Sequence, residues 1–395
     1  MKDNSIVVTG VGAICSIGTD VDECMKALKS KRSGIDDIKY LKTVHKDKFK
    51  LGEVKRSNSE LLDMLGLSLA EETVYSRTTL LAMVAAREAL QMSLDTNGVK
   101  SRTGIVSSTT VGGMDITEQF YLKQESDVNF LSTHPCGDST KKVAEFLKAT
   151  SYYTTLNTAC SSGVNALIHG ARLLKYNQLD RVIVGGVDAL TMFTLNGFNS
   201  LMILDRDYCK PFDVGRKGLN LAEGAGFVVL EKADSAQEYL CRLSGYANAN
   251  DAYHQTASSP TGDGAYGSMS KAIEMSGLGH GDIDYINVHG TGTDNNDHSE
   301  GVALNRVFGK GKVPTFSSTK SYTGHTLAGA AGIESVFSIL SIVKDIIYPN
   351  LSFTNPICEL ELIPNQEVIE GSGVKHVMSN SFGFGGNNST VIFSK

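Results

Sequence analysis

Proline is scarce in this chain, with seven in 395 residues, and so few argue against long disordered linkers. A positive balance is also missing. The net charge of −6 excludes a general nucleic-acid binder, while leaving room for a local basic patch toward an acidic partner protein. No apolar run approaches the roughly 20 residues of a membrane span. No charged segment followed by an apolar one opens the chain, so no signal peptide is expected. The seven cysteines (Cys15, Cys24, Cys136, Cys160, Cys209, Cys241 and Cys358) are scattered, odd in number and form no C-x-x-C pair. That pattern fits free thiols in a reducing compartment better than a disulfide frame or a zinc site. A cytoplasmic protein is the expectation.

What is present is a core. Forty-one per cent hydrophobic residues and forty glycines fit an α/β chain with many tight turns. Its organising stretch runs from Leu156 to Gly163, Leu-Asn-Thr-Ala-Cys-Ser-Ser-Gly. The residues before it favour extended structure, and those after it carry helical apolar spacing. Cys160 is thus expected at a strand-to-helix elbow, where the field of a helix N-terminus favours thiolate and lowers the pKa. Ser161, Ser162 and Gly163 are expected to keep the approach open. Cys160 is the candidate nucleophile.

Residues 5–9 read as a strand ending in a turn at Gly10-Val-Gly12. The third glycine of a dinucleotide fingerprint would fall at Cys15, so no dinucleotide site is expected. Asp20 is a candidate N-cap. Residues 35–70 read as charged and irregular, and a buried helix is expected from Ser76 through Leu90. The spacing of His134 and Cys136 matches no common metal site, and Ser132–Ser139 is expected to be a loop. Asp180 to Val187 reads as a strand buried on both faces.

A second half is expected from near residue 240. It brings strands, then His289-Gly-Thr-Gly-Thr293, then Thr323-Gly-His325 opening an apolar helix. Cys160 and His325 occupy similar places in the two halves, which hints at an internal duplication. Two histidines beside a cysteine suggest nucleophilic chemistry on an acyl group. An imidazole at a helix N-terminus stays neutral and can donate to an oxyanion or enolate. Glu334 lies in an otherwise apolar helix and needs a partner, which Lys320 or a backbone N–H can supply. Asp294 to Glu300 fails the EF-hand pattern, with Ser299 where glycine is needed and Asn305 where glutamate is needed. A polar turn leading to a helix is expected there.

These motifs in this order resemble the β-ketoacyl-acyl carrier protein synthases of the elongating KAS I/II group, in the thiolase superfamily. The resemblance covers nearly the whole chain. Its residues include Val8-Thr-Gly-Val-Gly12, Thr158-Ala-Cys-Ser-Ser-Gly163, Pro211-Phe-Asp213, Glu223-Gly-Ala-Gly226, Asp251-Ala-Tyr-His254, His289-Gly-Thr-Gly-Thr293, Ser318-Thr-Lys320, Thr323-Gly-His325 and Asn380-Ser-Phe-Gly-Phe-Gly-Gly386.

The resemblance implies a thiolase-like, five-layered αβαβα fold of two similar halves, 1–240 with Cys160 and 241–395 with His289 and His325. It implies an acyltransferase that performs a decarboxylative Claisen condensation of malonyl carrier protein with an acyl chain held as a thioester on Cys160. Fatty acid, type II polyketide and aryl polyene biosynthesis are the settings it suggests. His289 and His325 match the two catalytic histidines, and Lys320 and Glu334 the supporting pair. Phe384 matches an oxyanion-hole donor beside Cys160, and Phe382 and Phe384 the gating loop. Thr291 and Thr293 match residues that bind the phosphopantetheine arm, and Val111 one that lines the acyl pocket. No metal and no resident cofactor are implied, since phosphopantetheine arrives on the acyl carrier protein. A homodimer, or a heterodimer with a ketosynthase-like subunit, is implied.

Thiolases carry a second catalytic cysteine, which 380–388 lacks. Initiating synthases carry asparagine where His325 stands. Chain-length-factor subunits lack the nucleophile, so Cys160 argues against the alternative of a non-condensing partner subunit. The stretch 115–150 departs from the housekeeping fatty-acid pattern, Ser132–Ser139 above all.

Overall fold

The computed structural model describes residues 5–69, 74–121 and 128–395. Residues 122–127, within the divergent stretch, lie outside the described residues. The first part of the chain forms β1 (Ile6–Cys15), α1 (Val21–Lys29), α2 (Asn58–Leu65), α3 (Arg77–Asn97), β2 (Thr103–Ser108), α4 (Met114–Tyr121), α5 (Cys136–Phe146), β3 (Tyr153–Leu156), α6 (Ser162–Lys175), β4 (Arg181–Asp188), α7 (Met192–Ser200) and β5 (Gly224–Lys232). The second forms β6 (Cys241–Asn250), α8 (Asp263–Ser276), β7 (Tyr285–Asn287), α9 (Asp294–Phe308), β8 (Thr315–Ser317), α10 (Lys320–Thr323), α11 (Ala328–Lys344), a small pair of β9 (Ile346–Ile347) and β10 (Ile369–Glu370), then β11 (His376–Gly383) and β12 (Asn387–Ser394).

Ten strands make one sheet in the order β3-β2-β4-β5-β1-β6-β12-β11-β7-β8. At the β1–β6 seam Val7 pairs with Arg242 and Val8 with Cys241. On either side of it the same arrangement recurs. The edge strand at the seam pairs antiparallel with β5 or β12, which pairs antiparallel with β4 or β11. The remaining strands, β2 and β3 or β7 and β8, run parallel to those.

Side-chain alternation along the strands sorts the core into layers. Val182 and Val184 of β4 face inward with α6 (Val164, Leu167) and α11 (Val336, Ile339), and Val377 and Val391 meet the same core from the other half. Ile183 and Val229 point outward against α3. Ile286, Met378 and Ile392 point outward against α8 and α9. The order is helix, sheet, helix pair, sheet, helix, which is the five-layered αβαβα architecture.

Several local expectations change. β1 continues through Gly10-Val-Gly12 with no turn, after a register shift against β5 between Val8 and Gly10. A Cβ at Gly10 would lie 2.1 Å from the Ala89 carbonyl oxygen, and one at Gly12 2.1 Å from that of Ala85. These glycines let α3 lie directly on the strand. Residues 58–65, read as irregular, form α2 behind a Ser57–Glu60 capping box. The Asp20 cap forms as expected, its carboxylate accepting from Glu23 N–H at 2.7 Å.

The helix expected after a polar turn at Asp294 to Glu300 is present as α9, and it begins at Asp294 itself, with no turn over those residues. Cys136 to Ser139 opens α5 and is not a loop. The gating-loop match at Phe382 and Phe384 falls partly on strand: β11 continues to Gly383, with Phe382 paired to Asn388, and a tight turn follows at Phe384. Among the described residues, no helix is long and apolar enough to cross a membrane.

Candidate active site

The sequence folds an elbow at Cys160 because Ala159 takes a left-handed φ of 54° between β3 and α6. Asn157, Ser161 and Ser162 hold that bend. The Asn157 side chain accepts from Ala159 N–H at 3.2 Å, Ser162 Oγ accepts from Thr158 N–H at 2.8 Å, and the Ser161 hydroxyl donates to the Thr158 carbonyl at 2.8 Å. Ser161 and Ser162 are wholly buried, so they do not open an approach. Gly163 does not either. Its Cβ would sit 2.8 Å from Gly332 N and 2.9 Å from Ala331 Cβ, so its smallness lets α6 and α11 pack closely at the centre of the fold.

Cys160 is buried, and burial pushes its thiol up to about 12. Lys320 and an N–H donated by Phe384 act in the opposite direction without overcoming it. The resting side chain is therefore a thiol, and the expectation of a depressed pKa is corrected. A helix terminus offsets only part of the cost of a charge taken out of water.

His325 sits in the short connection between α10 and α11 rather than on a helix, contrary to expectation. Its backbone is clamped from both sides, with N–H donated to Asn220 O at 2.7 Å and C=O accepting from Ala222 N–H at 2.9 Å. Its Nε2 lies 3.2 Å from Cys160 Sγ. Its Nδ1 accepts from Leu327 N–H at 3.3 Å, which leaves the proton on Nε2.

His289 follows β7, with its ring centroid 5.3 Å from that of His325 at 84°. The Lys320 ammonium donates to the His289 carbonyl at 2.6 Å and meets its Nδ1 at 3.3 Å. Nε2 of His289 therefore also carries the hydrogen. Burial holds His289 well below 6.5, with Lys320 and His325 adding to the effect. Burial, then Lys320, does the same to His325.

Two neutral N–H donors thus flank one thiol. Because both pKa values are depressed, the neutral forms persist as pH falls through the usual histidine range. In ¹⁵N NMR spectra both rings will keep neutral-imidazole shifts from about pH 8 to about pH 6. A charge change centred near 6.5 in either ring would contradict this electrostatic account.

Lys320 opens α10 and contacts Glu334 Oε1 on α11 in a buried ion pair. Burial raises the Glu334 carboxyl to about 7 against the pull of Lys320. Cys160, His289 and His325 each offer a ligand atom within 4.8 Å of the others, a spacing a soft cation can also use. The Lys320 ammonium against His289 works against a second cation there.

Two cavities meet at Cys160 and Phe384. One, of about 240 Å³, is lined by His289, His325, Thr291, Thr293 and Phe382 and leads outward past Lys217. Thr291 and Thr293 hydroxyls lie 2.9 Å apart. The other, of about 250 Å³, is lined mainly by apolar residues, among them Val111, Met114, Phe193 and Leu327. Phe384 borders both and stacks on Phe198 at 5.9 Å and 15°. Phe382, on β11, lies 6.0 Å from the His289 ring.

The structure also gives supporting roles to residues that the sequence left without one. Asp188, at the end of β4, accepts from Val111 N–H at 3.0 Å, from Thr110 Oγ1 at 2.6 Å and from Ala328 N–H at 2.8 Å. One carboxylate thereby ties the Val111 wall to the start of α11. Glu300 on α9 accepts from His289 N–H at 2.9 Å and Gly290 N–H at 2.8 Å, and Asp297 accepts from Gly292 N–H at 3.2 Å. Ser132–Ser139 buttresses the Val111 turn, since a Cβ at Gly113 would lie 2.1 Å from the Thr133 carbonyl oxygen.

Two family descriptions match this chain: "Beta-ketoacyl synthase, N-terminal domain" over residues 3–236 and "Beta-ketoacyl synthase, C-terminal domain" over 240–354. A 3-oxoacyl-[acyl-carrier-protein] synthase 2 of Staphylococcus aureus (strain COL) is 33% identical over 416 aligned positions, covering 100% of this chain and 99% of that protein. Nodulation protein E of Rhizobium meliloti (strain 1021) is 32% identical, covering 100% of both. Among solved structures, the ishigamide ketosynthase/chain length factor superposes with a TM-score of 0.89 at 28% identity, over 100% of this chain and 99% of that one. A ketosynthase in complex with its chain length factor from Xenorhabdus doucetiae gives a TM-score of 0.85 at 28% identity, over 99% and 98%.

Proposed function

The chain belongs to the beta-ketoacyl synthase family, and we propose on that premise that it is a 3-oxoacyl-[acyl carrier protein] synthase. The observation that carries this reading is one thiol facing two neutral imidazole N–H groups at the junction of a polar and an apolar cavity.

In the first half-reaction the Cys160 sulfur attacks the thioester carbonyl of an acyl carrier protein. The backbone N–H groups of Cys160 and Phe384 receive the oxyanion. The carrier thiol leaves with the proton, and the acyl chain lies along Val111 in the apolar cavity. Thr291 and Thr293 hold the phosphopantetheine arm in the outer cavity. Phe382 and Phe384 form the gate between arm and chain.

In the second half-reaction malonyl carrier protein occupies the same entry. The Nε2–H groups of His289 and His325 bind its thioester oxygen, where negative charge grows as carbon dioxide leaves. The resulting enolate carbon bonds to the acyl carbonyl carbon, the bond to Cys160 sulfur breaks, and the 3-oxoacyl product departs two carbons longer. Lys320 and Glu334 position His289 rather than touching substrate.

The two halves, 1–240 and 241–395, belong to the same reading, supported by the repeated strand order. The chain works in the cytoplasm, with acyl- and malonyl-loaded carrier proteins as partners. It pairs with a second copy or with a chain-length-factor-like subunit, as the two ketosynthase/chain length factor likenesses suggest. Fatty acid or type II polyketide and aryl polyene synthesis is its setting.

Mass spectrometry after incubation with an acyl carrier protein tests this directly. An acyl group will appear on Cys160 and disappear when malonyl carrier protein is added. A chain that stays unmodified across short, long and unsaturated acyl donors would point to the non-condensing partner role.

A further inference from the structure

Away from the candidate active site, two cysteines face each other at the end of β1. Cys15 Sγ lies 3.7 Å from Cys24 Sγ, the first on the strand and the second on α1. Cys15 lines a separate cavity of about 260 Å³ together with Gly18 and the cationic side chains of Lys26, Arg32, Lys55 and Arg56, with Glu23 as the one carboxylate. Arg32 is anchored over it by a 3.0 Å bond to the Ile17 carbonyl.

Burial opposes a thiolate at Cys15. The Cys24 S–H, backbone N–H groups of Ile17 and Gly18, and the Arg32 charge outweigh it, so the Cys15 pKa lies below its usual value. Cys24, hydrogen-bonded to that sulfur and buried beside it, is pushed up. Cys15 lines that cavity and Cys24 does not, so a small oxidant meets the Cys15 sulfur first, with Cys24 3.7 Å away to resolve it.

We propose that Cys15 and Cys24 form a peroxide-oxidisable dithiol whose disulfide slows the condensing site. The Cys15 sulfur attacks one peroxide oxygen, the O–O bond breaks, and hydroxide leaves to take a proton as water. Cys15 is then a sulfenic acid. The Cys24 sulfur displaces its hydroxyl, which departs as a second water with the Cys24 proton. Two thiols lose two electrons, hydrogen peroxide gains them, and one S–S bond forms.

Closing the bond draws the sulfurs from 3.7 Å to about 2.05 Å. The neighbouring segment does not stand free of that movement. Ser16 donates to the Thr323 carbonyl at 3.0 Å, and Gly34 N–H donates to the Tyr322 carbonyl at 2.9 Å. Both acceptors lie in α10, between Lys320 and His325. A shift near 1 Å in positioning groups can cost about 10²-fold in rate.

The bond is tested on the whole chain by hydrogen peroxide treatment, thiol trapping and peptide mapping. A linked Cys15–Cys24 peptide is expected, cleaved by dithiothreitol, with Cys24→Ser leaving a trappable sulfenic acid on Cys15. The rate is tested in a Cys160→Gln background, where no reactive active-site thiol competes. Peroxide should lower its malonyl-carrier decarboxylation about tenfold or more, dithiothreitol should restore it, and adding Cys24→Ser should abolish the loss. Both thiols staying reduced, or a disulfide that leaves the rate unchanged, overturns the proposal. The rate arm rests on the proposed function and the bond arm does not. A background chain inactive before any peroxide is added would therefore fault the functional reading alone, with the peptide map still deciding whether the dithiol closes.

Discussion

Cys160→Gln will abolish condensation, by at least ~10⁴-fold, and leave malonyl-carrier decarboxylation running. The two activities separate because they use different atoms. Condensation needs an acyl group covalently held on Cys160 sulfur, and an amide carbon cannot accept and release that group. Decarboxylation needs only the two Nε2–H donors and a filled acyl position. Glutamine supplies that filling closely. Its Cβ–Cγ–Cδ=O chain matches the Cβ–Sγ–C=O chain of the acylated cysteine, and its carbonyl oxygen can accept the Phe384 N–H that the sulfur accepts now.

The variant also removes the thiol that His325 Nε2 faces at 3.2 Å, freeing that donor for the malonyl thioester. Carbon dioxide release and 3-oxoacyl product are measured in the same reaction. Loss of both activities in a folded variant would mean that the histidines do not act independently of the sulfur. Retained product would mean that Cys160 is not the nucleophile.

How much of this was legible beforehand depended on the range of the interaction. The buried strands, the Asp20 cap and the helix behind Ser76 carry their cause in local pattern, and they appear where the pattern put them. Cys160, His289 and His325 stood out because each sits among small residues at a break between regular elements. What failed required knowing the third dimension. Gly10, Gly12 and Gly163 looked like turn or approach residues, and each is the place where another backbone passes within van der Waals distance. Asp297 and Glu300 looked like a solvated turn because nothing local says that their carboxylates face the N–H groups of the histidine loop. The Cys160 pKa was misjudged in the same way. The helix-end field is readable from sequence, whereas the degree of burial that exceeds it is a property of the packed whole.

Lys320→Ala will be the most damaging change outside the nucleophile, and its effect on stability will grow with pH. The ammonium makes three contacts, with Glu334 Oε1, the His289 carbonyl and His289 Nδ1. Glu334 Oε2 has no hydrogen-bond partner among the described residues, so Lys320 is what compensates that buried charge. Removing one partner of such a pair costs about 3–5 kcal/mol.

The sign with pH follows from Glu334. Its folded pKa is raised from 4.5 to about 7 even beside the ammonium, so between those values the folded chain holds a proton that the unfolded chain has released. Its contribution to stability therefore falls as pH rises through that window. Without Lys320 the carboxyl moves higher still, and the window extends upward. The difference in melting temperature between wild type and Lys320→Ala will widen from about pH 6 to about pH 9. A constant or narrowing gap would show that the ion pair is not what holds these two helices.

Replacing both partners, Lys320→Met with Glu334→Leu, removes the buried charge altogether and will recover much of the stability. It will not recover decarboxylation, because His289 still lacks the donor that keeps its Nδ1 occupied and its Nε2 protonated, and a loss of about 10²–10³-fold is expected. A stable double variant with full decarboxylation would reduce Lys320 and Glu334 to packing, and its failure to appear identifies them as the pair that sets the histidine.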